Sequence, residues 1–208
     1  PRHPAGEAIV PAIYSNQRHV RCAGSRFLLQ ESVADLVISK LKIRLNSLFV
    51  GDPRDKNTDI GAINSKKQLE TIRKYIEIGK SEGGQIYQPD CTLPNNGNWC
   101  PPTLFLEVSQ SHRIVQEEIF GPVLTVQTFR TIDEVIEKAN NSPYGLSAGV
   151  WTDKGSKIFH LTKKLKAGVV WANTYNKFDA TSPFGGYKES GFGREGGLHG
   201  LKPYIKFE

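Results

Sequence analysis

The chain has 208 residues, of which 38% are hydrophobic, with three Trp and ten Phe, enough apolar surface to bury a sizeable core. Its net charge of +6, from 27 basic and 21 acidic residues, is dispersed through amphipathic segments such as 40–44 and 163–166, with no basic block interleaved with aromatics, so nucleic-acid binding is not expected. No run approaches the roughly eighteen apolar residues of a membrane span, and Pro1-Arg2-His3-Pro4 offers neither a signal core nor an initiator Met, so the expectation is a soluble, cytoplasmic fragment with no membrane partner.

Residues 27–30 are a short apolar run. Ser32-Val33-Ala34-Asp35 then predicts a helix opened by a capping serine, with Val33, Val37, Leu41, Leu45 and Leu48 on one buried stripe. Gly51 and Pro53 stop it. A second helix is predicted over 65–79 with Leu69, Ile72 and Ile76 facing inward, and Gly83-Gly84 separates it from a strand at 85–87. Residues 89–102, rich in Pro, Asn and Gly, read as a surface loop, followed by strands over 103–108 and 123–129. Thr131-Ile132-Asp133-Glu134 is a capping box for a helix to Asn140. A strand over 146–152, a helix over 156–165 and a strand over 167–174 complete the alternation. Residues 182–200 hold seven of the 20 glycines and read as an ordered loop system approaching a site or partner. This order predicts an α/β fold, a largely parallel sheet with flanking helices, in one domain spanning 1–208.

The chemistry-bearing residues are sparse. Cys22, Cys91 and Cys100 form no Cys-x-x-Cys pair, which argues for a reducing compartment and against a disulfide framework, and His3, His112, His160 and His199 lack ligand spacing, so no metal is expected. His19 lies three positions before Cys22, but no third orienting residue is visible, and a plain loop histidine is the better reading.

The segment Asn16-Gln17-Arg18-His19-Val20-Arg21-Cys22-Ala23-Gly24-Ser25-Arg26 resembles the nucleophile loop of the aldehyde dehydrogenase superfamily, in outline Asn-Gln-Gly-Gln-x-Cys-x-Ala-Gly-Ser-Arg. The Ala-Gly-Ser-Arg end sets the register and puts Arg21 at the nucleophile position, with Cys22 one residue late and the Gly-Gln pair changed to Arg18 and His19. Four more segments resemble that family's landmarks in its order: Glu117-Glu118-Ile119-Phe120-Gly121-Pro122-Val123, Asn141-Ser142-Pro143-Tyr144-Gly145-Leu146-Ser147-Ala148, Gly168-Val169-Val170-Trp171-Ala172-Asn173, and Ser182-Pro183-Phe184-Gly185-Gly186-Tyr187-Lys188-Glu189-Ser190-Gly191. Together the matches run from about Ile13 to Phe207, almost the whole chain.

The resemblance implies the family's catalytic domain, a Rossmann-like architecture, in an enzyme whose cysteine attacks an aldehyde, passes hydride to NAD or NADP and releases the acid by thioester hydrolysis. Such chains are about twice as long, so this one looks like the catalytic half without its dinucleotide-binding half, and poor NAD binding by the fragment alone is expected. By the same resemblance Glu118 accepts hydrogen bonds from the nicotinamide ribose, Phe120 packs beside it, Phe178 and Phe184 line the substrate tunnel, and Glu195 is a proton relay. The plain readings are a core role for either phenylalanine and a surface carboxylate for Glu195. A guanidinium stays protonated and cannot carry an acyl group, so Arg21 predicts a pseudoenzyme with an assembly or scaffolding role, and the family implies a homo-oligomer. Two alternatives stay open: an active NAD-dependent enzyme using Cys22, or with Arg21 an error or variant, and a non-catalytic module binding an acidic partner.

Overall fold

The computed structural model describes Val10, Tyr14, His19, Val20 and residues 22–206. They group into two compact units, divided between Val135 and Ile136.

In the first unit, β1 (Arg26–Gln30) leads directly into α1 (Glu31–Asn46), and α2 (Lys66–Ser81) precedes β2 (Gln85–Tyr87), β3 (Thr103–Leu106), the single turn α3 (Arg113–Gln116) and β4 (Val123–Phe129). The sheet runs β1-β4-β3-β2; β4 is parallel to both β1 and β3, and β2 is antiparallel to β3. β3 is buried along its whole length and β4 over its first five residues, the pattern of strands covered on both faces. Alternation along them separates two cores. Leu104, Leu106, Leu124 and Val126 pack with Ala34, Leu41 and Leu45 of α1, while Phe105 and Val123 pack with Leu69, Ile72 and Ile76 of α2, so each helix covers one face.

Two expectations are corrected here. Ser32 does not cap α1: the helix begins at Glu31, follows the strand without a break and has no side-chain cap, so its buried positions are Ala34, Leu41 and Leu45, with Val33 and Val37 half-buried. β3 stops at Leu106 instead of reaching Val108, because Glu107 turns into the left-handed region at φ 55°.

α4 (Ile132–Asn140) leads into the second unit. As the capping box implies, the Thr131 hydroxyl accepts from the Glu134 N–H at 3.2 Å, but the Glu134 carboxylate accepts from the Arg130 N–H at 2.7 Å. The second unit holds β5 (Tyr144–Gly145), β6 (Ser147–Val150), α5 (Gly155–Lys164), β7 (Val169–Ala172), β8 (Tyr187–Lys188) and α6 (Gly197–Leu201). β6 and β7 pair parallel; β5 and β8 pair antiparallel, so part of the glycine-rich segment expected to be irregular is a short strand. The Lys188 ammonium donates to the carbonyls of Asn140 at 2.7 Å and Ser142 at 2.8 Å. A side chain at Gly168 would run into the Gly185 carbonyl, so this close backbone approach requires glycine.

Candidate active-site segments

Parallel pairing decides which segments meet. The loop carrying Cys22 enters β1, the Glu118-Ile119-Phe120 segment enters β4, and β1 and β4 are parallel neighbours, so both segments arrive at the same end of the sheet. The Ser25 carbonyl accepts from both the N–H of Thr125, at 3.1 Å, and its hydroxyl, at 3.2 Å, which ties the loop to β4 just before Arg26 pairs with Thr125.

Arg21 lies outside the described residues, as do Asn16, Gln17 and Arg18. Cys22 lies within a turn closed by the Ala23 N–H, which donates to the Val20 carbonyl at 3.0 Å, and it is only 5% exposed. Burial lifts its thiol above the ordinary value, partly offset by a backbone hydrogen bond, so near neutral pH it is held as the thiol. That is the reverse of an activated nucleophile.

The two neighbouring glutamates differ sharply. Glu117 is pinned: Arg113 donates to both its oxygens at 2.7 and 2.9 Å and the Tyr75 hydroxyl donates at 2.7 Å, which holds its carboxyl down to about 2. Glu118 is exposed, and its carboxylate has no partner among the described residues. Phe120 sits at φ 56°, a left-handed conformation that costs an aromatic residue roughly 1–3 kcal/mol and persists only where neighbours enforce it. The enforcing neighbour is Gln68, whose amide donates to the carbonyls of Ile119 at 3.0 Å and Phe120 at 3.2 Å. Gly121 is wedged as well: a Cβ there would stand 2.5 Å from Ile72 Cδ1 of α2.

The His19 ring lies nearly parallel to that of Phe120 and offset from it, with centroids 5.7 Å apart and planes 7° from parallel. Its Nε2 is buried without a hydrogen-bond partner among the described residues, and burial lowers its pKa.

In the second unit, Phe178 and Phe184 meet edge to face with centroids 5.1 Å apart, and Trp171 packs edge to face on Phe178 at 5.3 Å while its indole N–H donates to the Lys177 carbonyl at 2.9 Å. Phe178 is 57% exposed. Phe184 and Glu195 exchange backbone hydrogen bonds of 2.7 and 2.8 Å, so these two sequence-derived candidates are direct neighbours. Arg194 braces the same turn, donating to the Gly186 carbonyl at 3.0 Å with its guanidinium 4.8 Å from the centre of the Tyr187 ring. No group of three or more His, Cys, Asp or Glu able to hold a metal occurs among the described residues.

Sequence reasoning missed Gln68 and Thr125, and carried Trp171 only as part of a family landmark, without a role. Ser65-Lys66-Lys67-Gln68 has the capping-box spacing, and the Ser65 hydroxyl does accept from the Gln68 N–H at 3.2 Å, but the Gln68 side chain reaches to a segment more than fifty residues away. Thr125 carried no local signal beyond its β-branching.

The aldehyde dehydrogenase family profile matches residues 3–208. Over 195 residues the chain is 42% identical to the mitochondrial aldehyde dehydrogenase of Homo sapiens, covering 94% of this chain and 38% of that protein. It is 41% identical over 202 residues to aldehyde dehydrogenase 1 of Tanacetum cinerariifolium, covering 97% of this chain and 40% of that one. Among solved structures, a mutant indole-3-acetaldehyde dehydrogenase of P. syringae in complex with NAD+ and IAA superposes with a TM-score of 0.95 at 39% identity, covering all of this chain and 42% of that one. The chain therefore spans about two fifths of the length of the relatives it matches.

Proposed function

The chain belongs to the aldehyde dehydrogenase family, and from that premise we propose that residues 1–208 are the catalytic-type domain of a protein whose ancestral reaction is NAD(P)-dependent oxidation of an aldehyde to a carboxylic acid, with the nucleophile position now held by Arg21. A bound nicotinamide dinucleotide supplies the hydride acceptor of that reaction. The residues present suit it: the exposed Glu118 carboxylate can accept from ribose hydroxyls, and Phe120, held in a strained conformation, offers a fixed ring beside them. Phe178 and Phe184 are proposed as lining for an aldehyde tunnel and Glu195 as a proton relay, all three within the second unit.

The observation that carries the loss of catalysis is the register of Ala23-Gly24-Ser25-Arg26, which leaves a guanidinium where a thiolate is required, next to a Cys22 thiol that is buried and protonated. A guanidinium can neither attack a carbonyl nor leave from an acyl group. The role that remains is assembly or scaffolding, as one part of a homo-oligomer in the cytoplasm. A preserved Glu118–Phe120 pair favours a second reading, in which the protein still turns over, with Cys22 as nucleophile or with Arg21 an error or variant.

Aldehyde-dependent NADH formation, measured on the intact protein carrying this chain and on its Arg21→Cys variant, separates the two. Silence in the natural protein with activity in the variant is expected. Turnover by the natural protein would overturn the proposal.

A further inference from the structure

Resting on the reading that Glu118 and Phe120 face the dinucleotide, we propose that His19 is a built-in occupant of that site: its imidazole lies nearly parallel to the Phe120 ring and beside it, in the space where the nicotinamide ribose end would pack, and must leave before the cofactor seats. The near-parallel, offset arrangement, at 5.7 Å and 7°, places a planar nitrogen heterocycle alongside the ring by means of the chain itself. Phe120 is the fixed partner, because its left-handed backbone is clamped by Gln68 through two carbonyls. His19 itself lies outside any helix or strand.

The contact is also poised to open. Ring stacking and burial hold His19 in place, but its Nε2 is buried with no partner among the described residues, and an unpaired buried nitrogen works against the same contact. Burial keeps the imidazole neutral, so the stacked form adds no cation that would draw the pyrophosphate of a dinucleotide. The arrangement thus lowers cofactor affinity by what the stack is worth, without closing the site.

The test is NAD binding to the intact protein, followed by calorimetry and by NMR of isotope-labelled histidine, for the natural chain, His19→Ala and His19→Phe. His19 ring resonances should start displaced by the Phe120 ring current and move toward ordinary histidine values as NAD is added. His19→Ala should bind NAD about two- to tenfold more tightly, the range a stacked ring pair is worth. His19→Phe, which keeps a ring without the unpaired nitrogen, should bind more weakly than the natural protein. NAD binding with unchanged or weaker affinity in His19→Ala and unmoved His19 resonances would overturn the displacement and leave the cofactor reading standing. Absence of NAD binding in all three proteins would overturn both.

Discussion

A cysteine attacks only as its thiolate, and here burial pushes all three thiols upward, Cys22 and Cys91 by direction and Cys100 from an ordinary 9.0 to about 12. Iodoacetamide near neutral pH should therefore label Cys22 and Cys100 slowly in the native protein and quickly once it is unfolded. A native Cys22 rate equal to that of a free thiol would restore it as a candidate nucleophile. At this scale a motif that carries its own register is the source of a proposal: the reading of position 21 rests on Ala23-Gly24-Ser25-Arg26 alone. His19 reads in the sequence as a plain loop histidine, because the partner ring lies about a hundred positions away and no local pattern announces the pairing.

The helices and strands were largely legible because their signals are periodic. Leu69, Ile72 and Ile76 mark the inner face of α2, and all three are buried in one core. Ends and tertiary clamps were less so. Ser32 looked like a cap, yet β1 feeds α1 directly and the serine falls inside the helix, whereas Ser65 and Thr131, each preceding a true start, do accept the expected backbone N–H. Gln68 shows how one helix serves a distant segment, since its amide satisfies two carbonyls of the strained turn before β4. Gln68→Ala should destabilise the protein by about 1 kcal/mol in chemical denaturation and loosen Phe120, read as faster hydrogen exchange in residues 117–121. Ser65→Ala should cost a similar amount, about 1 kcal/mol, without that local change in exchange. Equal exchange in the two variants would refute the clamp.

For the whole molecule, the α/β class and the largely parallel sheet follow from the alternation of elements, but neither the strand order nor the grouping into two units is written in any local pattern. No helix among the described residues is long and apolar enough to cross a membrane. The titrating groups set opposite limits on stability. Glu117, held down to about 2 by Arg113 and Tyr75, stabilises the fold above the ordinary carboxylate value of 4.5, and that contribution is lost as pH falls toward 2. Cys100, raised by burial, contributes below 9.0 and loses that contribution as pH rises from 9.0 toward about 12, because the unfolded chain ionises first. Urea denaturation across pH should show both declines; Glu117→Gln should flatten the acid limb and Cys100→Ala the alkaline one. A natural alkaline limb unchanged in Cys100→Ala would place the relevant titration elsewhere.

The tie between Ser25 and Thr125 joins residues 100 positions apart in sequence. During synthesis at roughly 5–20 residues per second, β1 and the loop before it leave the ribosome about 5–20 seconds before β4 exists to pair with them. Throughout that interval the Cys22 thiol, buried in the finished protein, is open to water, oxidants and chaperones, and the site's loop is shaped only when the late strand arrives.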